Sequence, residues 1–182
     1  MGLYCDIIRL TDDSIKKCIE LQDNQTELYS FIQNTDPDNW FELDKAWHGI
    51  HFIISSYSAA TEAKFLLNNG TVLRDYNWEE IYGVSVTDMR LFISDETKKI
   101  HSAINIISDI EFQKRYDSKL MIKNNVYPHI WNNSSRVFKL LRLKSTEETT
   151  NMEFISYNFS RLKSFIQETS EKQMGIAIKY HQ

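Results

Sequence analysis

The sequence predicts a single α+β domain that is rich in helix and carries a small sheet built from both chain termini. Two observations predict this class. Alternating apolar segments open the chain at Leu3–Leu10 and close it at Ile176–Tyr180, as expected of strands. Between them lie several stretches with the apolar spacing of amphipathic helices, and no repeat or long linker interrupts the 182 residues. We therefore expect one compact domain over residues 1–182.

The first half of the chain is predicted to form four helices whose ends are marked by capping and turn-forming residues. Thr11 or Asp12 supplies a polar side chain that can cap the first helix. The segment 34–39 ends the second helix, because its Asn, Asp and Pro residues favour turns. Gly70 can take the left-handed conformation that stops the fourth. The helices are expected over residues 11–21, 26–33, 41–55 and 59–68.

The second half is predicted to contain an extended region, four helices and a non-helical break. Apolar residues mark Val84–Ile93 as extended, and Ser108 with Glu111 has the spacing of a capping box. Tyr127 precedes a proline and is therefore pushed to extended backbone angles. Apolar residues spaced by three or four across Met152–Ile166 predict the most regular helix. The four helices are expected to begin at Ser94, Ser108, Asp117 and about Met152.

The composition excludes several classes of function. A formal net charge of −4 argues against a nucleic-acid-binding protein, which needs a broad basic surface. No apolar run is long enough to cross a bilayer and no targeting segment is recognisable, so we predict no membrane association. Cys5 and Cys18 are too few for a disulfide scaffold and lack metal-ligand spacing. We expect a cytoplasmic protein with free thiols, no cofactor and no bound metal.

The predicted central helix carries a polar stripe formed by Asp44, His48 and His51, which follow one another at helical spacing. A carboxylate and two imidazoles on one edge can bind a metal or hold a proton near neutral pH. The competing interpretation is that both histidines are packed or capping groups and that Asp44 favours the first helical turn. Gly49 is costly inside a helix, and we expect another backbone to pack close to it. The stripe is the candidate functional site.

Four aromatic residues are candidates for lining a cleft. They are Trp47, Tyr82, Tyr127 and Trp131. Tyr127 and Trp131 flank the predicted non-helical break, where a cleft can open. The competing interpretation is that these side chains seal the core. Trp47 lies on the apolar face of the predicted central helix, which favours the second interpretation for that residue.

Several short motifs occur in an order that is found in a known family. They are Leu43–Phe52, Phe65–Leu67 before Gly70, Tyr82–Gly83 before the middle strand, and Tyr127–Pro128 with Trp131. With the final helix and the closing strand, they make the chain resemble the YfbM-like family, bacterial proteins grouped as a domain of unknown function. The resemblance spans nearly the whole chain and implies a compact α/β fold. It implies no reaction and carries over no catalytic residue.

The sequence lacks a nucleophile elbow, a phosphate-binding glycine loop and a His-Glu-x-x-His motif. We therefore expect a non-enzymatic module that binds another protein, as a regulator, an adaptor or a toxin-neutralising partner. The alternative is a small hydrolase or ligand-binding enzyme, in which His48 or His51 acts as base and Asp44 orients the imidazole. Exposed aromatic side chains favour the first hypothesis. A pocket at the stripe, with room for a small-molecule ligand, favours the second.

Overall fold

The computed structural model describes residues 2–56, 61–74, 89–131 and 151–181, which form the predicted α+β fold. The helices of the described part are α1 (Asp12–Glu20), α2 (Gln25–Gln33), α3 (Ala46–Ser55), α4 (Ser94–Asn105), α5 (Asp109–Lys114), α6 (Ser118–Lys123) and α7 (Asn151–Glu171). Its strands are β1 (Tyr4–Leu10), β2 (Trp40–Asp44), β3 (Thr71–Arg74), β4 (Met89–Phe92) and β5 (Gly175–His181). Two 3₁₀ helices cover Pro37–Asn39 and Glu62–Leu66.

Both ends of the chain lie inside the sheet, as the sequence predicted. The strand order is β2-β1-β5-β4-β3, and all neighbouring strands are antiparallel. The pairing of β1 with β5 runs from Tyr4 opposite His181 to Leu10 opposite Gly175. Within the described sheet, β2 and β3 are therefore the two edge strands.

The side chains of β1 alternate between two hydrophobic layers, because successive residues of a strand point to opposite faces. Cys5 and Ile7 belong to the larger layer, which also contains the buried faces of α3, α4 and α7. Ile8 and Leu10 belong to the smaller layer, which α1 and α2 cover. Both faces of the sheet are thus packed. Among the described helices, none combines the length and apolar character needed to cross a bilayer.

The predicted cap of the first helix and the predicted turn after the second are confirmed. The Oγ1 of Thr11 accepts the backbone N–H of Ser14 at 3.1 Å, which satisfies one of the free amides at the start of α1. The predicted turn over residues 34–39 contains the 3₁₀ helix Pro37–Asn39, whose cap is the side chain of Asp36. Turn chemistry in this region was therefore readable from the residue types alone.

The central helix begins later than predicted, because residues 40–44 form strand β2. Phe41 and Leu43 are buried whereas Glu42 and Asp44 are exposed, which is the two-residue alternation of a half-buried strand. Pairing with β1 satisfies the backbone of this segment on one side. The prediction of one helix over residues 41–55 was wrong at its start, since so short an apolar run fits both periodicities.

Gly49 lets α3 approach an aromatic side chain rather than the predicted backbone. A Cβ at this position would lie 2.8 Å from Cη2 of Trp131 and 3.0 Å from Cδ1 of Ile155. Both neighbours are fully buried, so neither has free space into which to move. The cost of a mid-helix glycine is thus offset by close packing of α3 against Trp131 and α7.

The helix starts predicted for the second half are confirmed, whereas the last predicted helix of the first half differs in type. Helix α4 begins at Ser94 as predicted, and the side chains of Ser108 and Asp117 cap α5 and α6. The helix predicted over residues 59–68 is instead a 3₁₀ helix at Glu62–Leu66 in its described part. Its buried Ala63 and Leu66 are three residues apart, which suits the three-residue turn of a 3₁₀ helix. Of the predicted extended region, residues 84–88 lie outside the described residues.

Candidate functional site

The predicted stripe of Asp44, His48 and His51 is divided between a strand and a helix. Asp44 is the last residue of β2 and is exposed, with a φ of 51° in the left-handed region that aspartate tolerates better than most residues. His48 and His51 lie on α3 as predicted. The helical spacing from Asp44 to the histidines therefore does not exist in the structure, which corrects the prediction of one continuous stripe.

His48 connects α3 to the segment that follows α6. Its Nδ1 accepts the backbone N–H of Tyr127 at 3.0 Å, and this bond places the ring proton on Nε2. The imidazole also stacks on Trp47, with ring centroids 5.0 Å apart. Burial, with a smaller contribution of the same sign from the nearby His129, lowers the pKa of His48 to about 4. His48 is therefore a neutral packing group at physiological pH.

His51 is also held neutral. Its Nε2 lies 3.2 Å from the hydroxyl of Ser55, one helical turn away. Burial lowers the pKa of His51 to about 4, with smaller contributions of the same sign from His48 and Lys64. The Nδ1 atom is buried and has no hydrogen-bond partner among the described residues. No group of three His, Cys, Asp or Glu residues in the described ranges could hold a metal ion.

The aromatic residues predicted to line a cleft seal the core instead, as far as they are described. Trp47 and Trp131 are fully buried, and Tyr127 is almost so. The indole Nε1 of Trp47 donates to the carbonyl of Leu3 at 3.2 Å, while the Tyr127 hydroxyl accepts the N–H of the same residue at 2.8 Å. These two rings therefore fix the start of β1 against α3. Tyr82, the fourth candidate, lies outside the described residues.

A depression of about 590 Å³ lies between residues of the neighbouring strands β2, β1 and β5 and the first half of α7. The sheet contributes Tyr4, Asp6, Glu42, Asp44 and His181. Helix α7 contributes Phe154, Tyr157, Asn158 and Arg161. Asp44, which the sequence placed with the histidines, thus belongs to a different surface. Neither His48 nor His51 lines it.

A second depression of about 450 Å³ continues along the same helix. Its residues outside α7 are Arg9, Asp38 and Phe41. Those of α7 are Tyr157, Ser160, Arg161, Ser164, Phe165 and Glu168. Tyr157 and Arg161 line both depressions, so the two meet at this pair. We call the two depressions together the edge groove.

Tyr157 and Arg161 form a preorganised pair at the centre of the edge groove. The side chain of Tyr157 is 63% exposed. The guanidinium of Arg161 lies 5.4 Å from the Tyr157 ring and 5.0 Å from the ring of Phe41 on β2, within the range of cation–π attraction. Arg161 therefore connects α7 to the edge strand β2. Its planar guanidinium, a hydrogen-bond donor, lies beside the exposed ring of Tyr157.

The edge groove is acidic. Its lining contains five carboxylates, those of Asp6, Asp38, Glu42, Asp44 and Glu168. It contains two guanidinium groups, and that of Arg9 is 2.7 Å from Glu168. Asp6 lies 2.9 Å from Nε2 of His181. Glu42 and Asp44 are exposed to solvent on the edge strand, where they can meet a cationic group, and Asp44 already interacts electrostatically with Lys45.

Residues 1–178 match the family described as "Domain of unknown function (DUF1877)". The chain belongs to this family. Its fold is similar to that of YfbM from Escherichia coli, a protein of unknown function, with a TM-score of 0.57 and 12% sequence identity over 96% of this chain and 97% of that one. The YfbM-like assignment made from the sequence is confirmed, and no curated protein sequence matches the chain.

Sequence reasoning missed the two central residues of the edge groove in this DUF1877 member. Tyr157 and Arg161 are four residues apart on α7, outside the apolar face that predicted the helix. A tyrosine and an arginine on the solvent face of an amphipathic helix are the signal that could have selected them, because both residue types are enriched in protein interfaces. The contribution of strand β2 to the edge groove could not be predicted, because the sequence analysis assigned its residues to the central helix.

Proposed function

We propose that this chain is a non-enzymatic protein-binding module, acting as a regulator, an adaptor or a toxin-neutralising partner, with the edge groove as its contact surface. The observation that carries the proposal is the exposure of Tyr157 where the two depressions meet. Tyrosine and arginine are among the residues that contribute most to binding energy at protein interfaces. An exposed tyrosine beside an arginine, inside a concave surface, is therefore suited to anchor a partner protein.

The order already present in the groove supports the same proposal. Arg161 is held between the rings of Phe41 and Tyr157 before any partner arrives. Side chains that are already ordered lose less conformational entropy on binding, so more of the contact energy appears as affinity. The pair therefore has the character of a preformed anchor rather than of a freely moving surface side chain.

The alternative, a small hydrolase or ligand-binding enzyme, has less support. Asp44 is the last residue of β2 rather than part of the helix that carries His48 and His51, so the helical spacing that would align it with their imidazoles is absent. The Nδ1 of His48 is already used by the Tyr127 amide. A base needs a pKa near the working pH, whereas burial lowers the pKa of both histidines to about 4. We therefore place no catalytic residue on α3.

The proposal places the module in the cytoplasm of a bacterium. Cys5 and Cys18 are buried and form no disulfide. Burial raises the pKa of the Cys18 thiol to about 11 and that of Cys5 well above its ordinary value, so neither is a reactive thiolate. Unreactive buried thiols suit a reducing compartment. The similar fold of a bacterial protein supports a bacterial source for this chain.

Removing the central pair of the edge groove should abolish capture of the partner. We expect the variant Tyr157→Ala, Arg161→Ala to capture partner in an amount reduced by about tenfold or more. The reason is that truncating an interface anchor typically costs about 2 kcal/mol or more of binding free energy. The measurement is a pull-down from native lysate, read by quantitative mass spectrometry. The same protein must be depleted in replicate experiments with the variant.

The matched control is Val72→Ala on β3, the edge strand at the opposite end of the described sheet. Val72 is exposed and lines neither depression. This variant should capture the partner as wild type does. Equal loss in both variants would point to general destabilisation, and equal capture by all three proteins would refute the groove as the contact surface.

A further inference from the structure

We propose that the edge groove receives an extended, basic segment of the partner protein, which pairs with β2 as an additional strand of the sheet. This inference rests on the proposed function and specifies its binding mode. It depends on three observations: the position of β2 at the edge, the helix that runs beside it, and the charge of the residues between them.

The backbone of β2 offers the first part of the recognition. In the described sheet, β2 pairs with β1 on one side only. The unpaired side of an edge strand presents N–H and C=O groups that can pair with an extended chain. The five residues of β2 span about 17 Å at roughly 3.4 Å per residue, which is enough for a segment of similar length. Such strand addition is an established mode of peptide recognition.

Helix α7 offers the second part, because it gives the strand site a wall. The contact between helix and strand is made by Phe41 and Phe165, whose rings stack with centroids 5.0 Å apart. Tyr157 and Arg161, which precede Phe165 on the same helix, line both depressions along this wall. An added strand would therefore be held by its backbone against β2 and by half of its side chains against α7. The two depressions along this wall have volumes of about 590 Å³ and 450 Å³.

The charge of the groove specifies the occupant. Successive side chains of an added strand point to opposite sides. One set would meet the apolar and aromatic wall at Phe41 and Tyr157, and the other would meet the exposed carboxylates of Glu42 and Asp44. Opposite charges on neighbouring strands stabilise pairing. The occupant is thus a segment with Lys or Arg at alternate positions and apolar residues between them.

The same carboxylates argue against a second copy of this chain as the occupant. Pairing of two β2 strands would place Glu42 and Asp44 of one copy near those of the other, and like charges across a strand pair are destabilising. Charged residues on an edge strand are also a known protection against self-association. A basic segment of a partner would instead be attracted to the same carboxylates. A stable dimer through β2 in size-exclusion chromatography would overturn the assignment of the occupant.

The probe is a labelled, capped peptide of alternating Lys and Val residues, and its binding is measured by fluorescence anisotropy. We expect saturable binding to wild type and slower amide hydrogen exchange in residues 40–44. Glu42→Lys should weaken binding at least about tenfold, because it opposes like charges. The matched control, Asp23→Lys, reverses an exposed carboxylate that lines neither depression and should change binding less than about twofold.

Backbone pairing is tested with two N-methylated peptides, in which the amides of odd or of even positions are blocked. Only one set of amides can face β2, so one peptide should lose binding and the other retain it. Binding that survives both modifications, survives Glu42→Lys, or is matched by a block-ordered peptide of the same composition would overturn the inference. If the peptides fail but the Tyr157→Ala, Arg161→Ala variant still loses its partner, strand addition fails and the protein-binding function stands.

Discussion

Replacing Trp47 with alanine should lower the free energy of unfolding by about 3–5 kcal/mol, a large part of the roughly 5–15 kcal/mol that stabilises a typical domain. The side chain is fully buried, lies edge-on to Tyr180 at 5.0 Å, and stacks near Tyr127 at 5.9 Å. Its loss leaves a cavity and removes a donor from the carbonyl of Leu3. Equilibrium unfolding in urea, followed by circular dichroism, measures the change.

The control for this prediction is Tyr157→Ala, which removes an aromatic side chain from the exposed face of α7. Because its side chain is 63% exposed, we expect a change within about 0.5 kcal/mol. A change of that small size for Trp47→Ala would contradict the assignment of Trp47 to the core. A large change for Tyr157→Ala would show that its effect on partner capture cannot be separated from folding.

Acid should destabilise the protein through His48 and His51. In the unfolded chain these histidines bind protons with a pKa near 6.5, whereas burial lowers the pKa of each to about 4 in the fold. Between these values the unfolded state binds more protons, so the stability falls as the pH falls. The part of the folding stability that depends on neutral His48 and His51 is fully present above about pH 6.5 and is lost towards pH 4. Its size is about 3 kcal/mol for each histidine.

The double variant His48→Asn, His51→Gln isolates this contribution from that of the carboxylates. Asparagine can keep an acceptor for the Tyr127 amide, and glutamine can keep a polar contact with Ser55. The unfolding free energy of wild type and variant is measured by urea titration from pH 7 to pH 4. We expect the wild-type curve to fall more steeply over that interval. Parallel curves would mean that the two imidazoles are already protonated or solvated in the fold.

Much of the fold could be predicted because local chemistry and tertiary packing agree. Thr11, Ser108 and Asp117 cap helices where their residue types predicted caps, and the two terminal strands pair as their alternation indicated. The start of α3 could not be predicted from such rules. Residues 41–44 fit a strand or a helix equally well, and only the pairing with β1 decides between them.

The candidate site was harder to predict than the fold, because it depends on contacts between distant segments. His48 resembled a functional group in sequence, yet its role is to accept the amide of Tyr127, 79 residues away. The edge groove joins Glu42 to Arg161 across an even longer stretch of chain. Spacing along one helix carries no information about such a site. A tyrosine and an arginine on the solvent face of α7 were the available signal, and they do not indicate the strand that they face.

The measurement that tests the central claim most directly is site-specific photo-crosslinking in native lysate. A photoreactive phenylalanine analogue replaces Tyr157 in one protein and Val72 in another, and adducts are identified by mass spectrometry. If the edge groove is the contact surface, position 157 should yield one dominant protein adduct, which excess wild type removes and the Tyr157→Ala, Arg161→Ala variant does not. No discrete adduct at position 157, or the same adduct at both positions, would contradict it.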